Sequence, residues 1–187
     1  MKNIFYLLVA VSVIFSSCES DSNGSLEPNN GTDIYGCTDP AAMNYNSLAN
    51  SNDGSCLFAY DIAQGVWNIT PDCDEIEIPI LGTISLNEQM PETIDVQGNG
   101  DDSLSIEMNG SQVVGDIDNQ GVVTVNEQTI SIDYSGFSIP VLVSGTGQIE
   151  SEGSGYMSLI YSGEIDFIPN VPIPVPFSAT CHLVLTK

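Results

Sequence analysis

The chain has 187 residues, of which 25 are Asp or Glu and only two are Lys or Arg, so its formal net charge is −23. Both bases are lysines, and a chain with so few cations cannot neutralise the phosphates of a nucleic acid or clamp an anionic substrate. Nucleic-acid binding is therefore excluded, whereas the length suffices for one modest domain and a smaller unit.

The N-terminal residues have the three-part pattern of a secretory signal. Lys2 supplies a positive charge, the run 4–15 is apolar apart from Ser12, and the serines at 16–17 suit a cleavage site. The apolar run is shorter than the roughly 20 residues that a membrane-spanning helix needs. Residues 1–17 are therefore predicted to be a signal peptide, the alternative being a buried N-terminal helix.

Cys18 follows directly, and the stretch resembles the lipobox of bacterial lipoproteins, in which such a cysteine is acylated and becomes the first mature residue. Phe15 departs from that pattern, because the family usually has an aliphatic residue there. The cysteine count is an independent argument: exported proteins usually pair their cysteines, and lipid on Cys18 leaves four of the five to pair. We therefore expect lipid on Cys18 to anchor the protein in the cell envelope, at the outer membrane or the cell surface.

Two short segments follow the expected anchor. Residues 18–35 are rich in Ser, Asn, Gly and acids, and are predicted to be a flexible tether. Residues 36–58 (GCTDPAAMNYNSLANSNDGSCLF) resemble a short module of secreted and surface proteins of the Bacteroidota, GCTD-x-x-A-x-NY-x-x-x-A-x-x-DDGSC, with Asn52 as a departure. The segment is too polar to form a core, so we expect a disulfide bond between Cys37 and Cys56 to order it.

The same module carries candidate calcium ligands. Asp39, Asn44, Asn46 and Asp53 offer hard oxygen atoms at short spacing, which suits Ca²⁺. The pattern of an EF-hand is missing, and Asn and Asp side chains also accept hydrogen bonds from backbone amides in turns. The sequence leaves both interpretations open, and no other cofactor is expected.

Residues 60–187 alternate between apolar and polar side chains, which indicates strands with one wet face. Turn signals separate the strands, among them Gly98-Asn99-Gly100 and the hairpin candidate Asn109-Gly110. The only helical signal after the signal peptide is a short turn near 61–64. The predicted fold class is all-β, an antiparallel meander of seven to nine strands that closes into a barrel, with a β-sandwich as the alternative.

Two further features constrain this β domain. The segment 170–177 has Pro at every second residue, so one edge loses its N–H donors; it either pairs on one side only, at a sheet margin or barrel rim, or forms an irregular polyproline-like loop. Cys73 follows the first strand and Cys181 lies in the last. A disulfide bond between them would tie the two ends of the domain together.

No catalytic constellation is found in the sequence. His182 is the only histidine, and alternation places it on the outer face of the last strand. The carboxylates also alternate outward, and phosphate-loop and nucleophile-elbow motifs are missing. We therefore expect no enzymatic activity.

Gly65-Val66-Trp67 resembles the G-x-W motif that opens lipocalins, and Asp133-Tyr134 faintly resembles their second motif. The resemblance covers roughly 60–187 and implies a lipocalin-like (calycin) barrel in which Trp67 closes one end. The arginine of the third motif, which packs across that Trp, has no counterpart here because the chain lacks arginine. If the barrel is lipocalin-like, a small apolar ligand would contact inward residues, for which the candidates are Trp67, Ile94, Val96, Ile106, Met108, Ile132 and Tyr134.

The sequence thus predicts a lipid-anchored protein with a non-catalytic binding role. The same inward residues would also serve a filled barrel that holds no ligand. The alternatives are a surface protein that contacts glycans or proteins, and an inhibitor of secreted enzymes.

Overall fold

The computed structural model describes residues 32–78, 82–108, 110–134, 137–165 and 174–187. The predicted signal peptide, Cys18 and most of the tether lie outside the described residues. Residues 33–187 form one compact unit. Among the described residues, no helix is long and apolar enough to cross a membrane.

Eight strands form a closed antiparallel barrel in the order β10-β11-β12-β3-β6-β7-β8-β9. They are β3 (Gly65–Cys73), β6 (Thr93–Gly100), β7 (Ser103–Met108), β8 (Ser111–Ile117), β9 (Val122–Tyr134), β10 (Phe137–Ser151), β11 (Ser154–Ile165) and β12 (Val175–Thr186). The remaining elements are β1 (Tyr35–Gly36), β2 (Ser51–Asn52), α1 (Ala59–Ala63), β4 (Glu75–Ile78), β5 (Gly82–Ser85) and a short 3₁₀ helix (Asn87–Gln89). The predicted all-β class and the choice of barrel over sandwich are confirmed.

The alternating sequence explains why these segments close into a barrel. Along β8 and β12 every second side chain is buried, and the residues between them are mostly exposed. Closure gives all inward side chains one shared core and leaves no free sheet edge. The largest buried side chain is Trp67, at the start of the first barrel strand.

The two ends of the barrel are closed by different elements. The helix α1 lies at one end, beside the start of β3, and we call this the helix end. The hairpin formed by β4 and β5 lies at the other, the hairpin end, where Ile76, Ile84 and Leu86 are buried in the common core. Both ends of the barrel are therefore covered by apolar side chains.

Each predicted cysteine pair is bonded. Cys37 and Cys56 close a loop with a sequence separation of 19, and Cys73 and Cys181 span a separation of 108. Cys73 and Cys181 are also cross-strand partners on β3 and β12. The second bond therefore joins the first and last barrel strands, as the sequence predicted.

The start of β12 pairs on one side only. Residues 175–179 pair with β11 alone, Thr180 also exchanges hydrogen bonds with Asp74, and pairing with β3 begins at Cys181. Pro176 lies opposite Glu164 of β11 in this one-sided stretch. The sequence allowed the proline segment to lie at a barrel rim or to form an irregular loop. Residues 174–177 lie at the barrel rim, and residues 170–173 lie outside the described residues.

The turn predicted at 98–100 is wrong by three residues. Gly98 and Gly100 belong to β6, and the chain reverses at Asp101 and Asp102, both with positive φ (51° and 59°). A side chain on Gly98 would collide with the Tyr60 hydroxyl group, which accepts a hydrogen bond from the Gly100 amide at 2.8 Å. Gly98 therefore makes room for Tyr60 of α1. The Asn109-Gly110 hairpin is supported by the pairing of β7 with β8, although Asn109 itself lies outside the described residues.

Candidate ligand-binding site

An apolar cavity of about 80 Å³ lies inside the barrel near the helix end. We call it the barrel cavity. Its wall includes Trp67 and Ile94, which are buried, and Val96 and Ile106, which are half-buried. The wall is almost entirely apolar, with Ser105 as its one hydroxyl side chain. It can therefore hold a small apolar group and has little means to orient a polar one.

The predicted ligand-contacting residues divide between three places. Trp67, Ile94, Val96 and Ile106 line the barrel cavity. Met108 is buried in the core, and Ile132 lines a space of only about 10 Å³ near the hairpin end. The structure does not describe the side chain of Tyr134. The sequence therefore located the cavity wall on β3, β6 and β7, but half of the barrel interior is filled.

Val143 and Tyr161 are fully buried in the core. They are cross-strand partners on β10 and β11, and neither lines the barrel cavity or the smaller space near the hairpin end. Burial raises the pKa of Tyr161 to about 12. Its hydroxyl group has no hydrogen-bond partner in the part of the chain that the structure describes.

Lys187 packs against the ring of Trp67, for which the sequence analysis found no arginine partner. Its ammonium group lies 4.4 Å from the centroid of the Trp67 ring and donates hydrogen bonds to the carbonyl groups of Ile62 (2.6 Å) and Gln64 (2.7 Å). The Trp67 indole N–H donates to the carbonyl of Ala63 at 2.7 Å. The sequence analysis considered only an arginine in this role and noted that the chain has none; a lysine packs across this Trp, and it also caps the end of α1.

A second opening lies on the outer side of the barrel, between β6 and β7. We call it the lateral cleft; its volume is about 410 Å³, and its wall includes Asp95, Gln97, Ser105, Ile106 and Glu107. Ser105 and Ile106 line both this cleft and the barrel cavity. The cleft therefore borders the barrel cavity through the gap between these two strands.

The gap exists because the two strands separate. Backbone pairing between β6 and β7 ends at Gln97 and Ser105. Beyond that point β6 pairs only with β3, and β7 only with β8. Val96 and Ile106 face the interior at this position and are nevertheless only half-buried, which indicates access from outside.

Another short ladder, between β8 and β9, is sealed by a side chain. Only Asp116 and Ile117 of β8 pair with β9. Farther along, the Gln128 amide bonds both backbone groups of Val114, accepting from its N–H at 2.9 Å and donating to its carbonyl at 2.7 Å. This arrangement replaces the missing ladder bonds and closes that part of the wall.

In the 36–58 module, the candidate calcium ligands bond the backbone. Asp39 and Asn46 accept from amides two residues ahead, at 2.9 and 3.0 Å, and Asp53 accepts from Ser55 at 2.9 Å. Asn44 accepts from the Leu57 amide at 2.8 Å. These are the contacts of turn chemistry. Calcium binding stays a prediction, and its test is whether Ca²⁺, but not Mg²⁺, raises the melting temperature.

The remaining candidate residues lie outside the cavity. His182 is exposed on β12, on the outer face as predicted. In the described ranges, no three His, Cys, Asp or Glu side chains come together as a metal site would require. Sequence reasoning missed Ser105, Lys187 and the part of the cavity wall that lies beyond β7. Alternation on β8 to β12 could have indicated the residues of that part, which are Val113, Val125, Ile149 and Leu185.

Comparisons with protein-family models, with curated proteins and with solved structures found no match to this chain.

Proposed function

We propose that this protein is an exported lipoprotein, anchored in the cell envelope through lipid on Cys18, whose barrel binds a small ligand without transforming it. The observation that carries the binding role is the apolar barrel cavity with half-buried Val96 and Ile106 at its margin. Within the lipocalin resemblance, binding in the barrel interior is the expected activity. The wall offers no acid–base pair for catalysis.

The size of the cavity limits the ligand. Typical ligand pockets enclose about 300–1,000 Å³, so a long-chain lipid does not fit inside a cavity of about 80 Å³. An apolar cavity of about 150 Å³ binds benzene, which has six carbon atoms. The barrel cavity has about half that volume and therefore has room for about three carbon atoms. Their burial contributes about 2–3 kcal/mol, less than the roughly 4 kcal/mol that corresponds to millimolar affinity. The ligand must therefore also make contacts outside the cavity.

Native mass spectrometry of the protein purified from its own host tests the binding role. We expect a retained small molecule that is lost when the cavity is filled by Val96→Phe. Val184→Phe, at an exposed position of β12, is the matched control and should retain the molecule. Absence of any retained ligand under several growth conditions would contradict the proposal.

The lipid anchor rests on the sequence, because Cys18 lies outside the described residues. The resemblance of the 36–58 module to surface proteins of the Bacteroidota supports the same location. Labelled palmitate should be incorporated into the wild-type chain and not into Cys18→Ala. Incorporation that persists in Cys18→Ala would show that Cys18 is not the anchor.

One observation favours a second candidate function, contact with a glycan or protein at the cell surface. Tyr156 and Ile160 on β11 and Val184 on β12 are exposed, and Tyr156 and Val184 are cross-strand neighbours. Their cross-strand neighbours Ser144, Gln148 and Thr180 are uncharged, so the immediate surroundings of these apolar side chains carry no charge. Sedimentation with surface polysaccharide of the host should be reduced by Tyr156→Ser; equal sedimentation of wild type and variant would contradict this function.

A further inference from the structure

We propose that the lateral cleft between β6 and β7 is a side entrance for a small alkylammonium ion, with its alkyl group in the barrel cavity and its charged group between Asp95 and Glu107. This inference rests on the proposed binding function and specifies both the chemical class of the ligand and its route. It follows from three observations, which concern the register of the two strands, the charge of the cleft and the shared wall.

The register explains why the wall opens here. β6 and β7 pair at Gln97–Ser105 and Gly98–Leu104. If the ladder continued in the same register, Val96 would lie opposite Ile106, and Asp95 opposite Glu107. Two carboxylates directly opposite each other repel, and the ladder ends before it reaches them.

Two acidic side chains opposite each other would be unusual within this barrel. In the ladders of the described residues, acidic side chains lie opposite neutral ones or His182: Asp116 opposite Thr124, Glu164 opposite Pro176, and Asp72 opposite His182. An acid is never paired with an acid in these ladders. The one place where the register would bring two acids together is therefore the place where the strands separate.

The charge of the cleft is not compensated by the chain itself. Its wall contains no Lys, Arg or His. The only basic residue in the described ranges, Lys187, is bonded to Ile62 and Gln64 at the helix end, and His182 lies on β12. A cation between Asp95 and Glu107 would replace their repulsion by two attractions, and the net negative charge of the chain would attract cations toward the cleft.

The wall shared by the cleft and the cavity determines the uncharged part of the ligand. Ile106 and Ser105 border both the lateral cleft and the barrel cavity, so we place the alkyl group beside them, where the gap between β6 and β7 adjoins the apolar interior. The cavity accepts about three carbon atoms. A propylammonium ion is therefore the simplest probe that fits both parts.

The test is a titration of the lipidated full-length mature protein in phosphatidylcholine vesicles with propylammonium, propanol and propionate. Trp67 is the only Trp of the chain and lines the cavity, so its fluorescence reports occupancy, with empty vesicles as the blank. We expect propylammonium to bind at least about tenfold more tightly than propanol, and propionate to bind more weakly than both. Added salt should weaken only the binding of propylammonium.

The double variant Asp95→Asn/Glu107→Gln should lose at least about tenfold more affinity for propylammonium than for propanol, whose binding reports any closing of the seam once the two charges are removed. Asp72→Asn/Glu164→Gln is the matched control, because it removes two exposed charges elsewhere and should bind as the wild type does. Far-UV circular dichroism checks that both variants fold. If a double variant does not fold, Asp95→Asn and Glu107→Gln singly should each weaken propylammonium binding.

The outcomes separate this inference from the proposed function. Equal affinity for propanol and propylammonium, or equal weakening by the control variant, would overturn the ammonium site and leave the apolar binding role standing. No response of Trp67 to any of the three probes, together with no ligand in native mass spectrometry, would overturn both.

Discussion

Tyr161 offers the most direct test of how the barrel interior is packed. Its side chain is fully buried, and its hydroxyl group has no partner within the described ranges. A buried hydroxyl group without a hydrogen bond costs about 1–3 kcal/mol. Because Phe keeps the ring and removes only the hydroxyl group, we expect Tyr161→Phe to raise the free energy of unfolding by about that amount at neutral pH.

The same residue predicts a loss of stability in alkali. Burial raises the pKa of Tyr161 from its ordinary value of 10.0 to about 12. Above pH 10.0 the unfolded chain releases this phenol proton while the folded chain retains it, so the free energy of unfolding falls between pH 10.0 and about 12. At about pH 11 this one group accounts for a loss of about 1.4 kcal/mol, which Tyr161→Phe would abolish.

Urea unfolding at neutral pH and at about pH 11 measures both effects. The matched control is Tyr156→Phe on the same strand, because Tyr156 is 50% exposed and its hydroxyl group can reach water. We expect the control to change the free energy of unfolding by less than about 0.5 kcal/mol. Destabilisation by Tyr161→Phe at neutral pH would refute the reasoning, because it would show that the hydroxyl group is hydrogen-bonded.

Three further predictions follow from other contacts. Lys187→Gln should lower the free energy of unfolding by about 1–2 kcal/mol, because it removes the cation from the Trp67 ring, whereas Lys187→Arg should keep most of the stability in thermal unfolding. Replacing both cysteines of the Cys73–Cys181 bond by Ala should cost up to about 4–5 kcal/mol in urea unfolding, because the bond closes a long loop. Hydrogen bonds from Ser55 lower the pKa of Asp53 below 3.8, so their contribution to stability is present at neutral pH and lost as the pH falls through that lowered pKa. Ser55→Ala should raise the pKa of Asp53 in an NMR titration.

The barrel could be predicted from the sequence because its strands carry their signal locally. Alternation along β6 and β7 placed Ile94, Val96 and Ile106 on the inner face before any pairing was known. The pairing of Cys73 with Cys181 followed from chain order and an even number of remaining cysteines. These features depend on one strand, or on a count, and not on which strands become neighbours.

The features that were missed depend on which strands are neighbours. Lys187 lies beside Trp67 because β12 pairs with β3 and ends where β3 begins; the sequence analysis looked only for arginine. Gly98 suggested a turn, although it is needed for the approach of Tyr60 from α1. The lateral cleft could not be predicted because alternation assigns the faces of a strand and does not show where a ladder ends.

The unusual acidity of the chain offers a physical reason for the lateral cleft. A sheet that carries so many carboxylates must place each of them opposite a neutral partner, and Ser, Thr, Gln and Pro serve that purpose in the described ladders, for example opposite Glu75, Glu107 and Glu164. Where Asp95 and Glu107 would break this rule, backbone pairing stops, although Val96 and Ile106 between them could have continued the apolar wall. Backbone pairing is thus missing from the wall at the place where two carboxylates would be opposed. Gln128 seals the other short ladder that we describe, between β8 and β9, so the seam between β6 and β7 is the one that we propose as a ligand entrance.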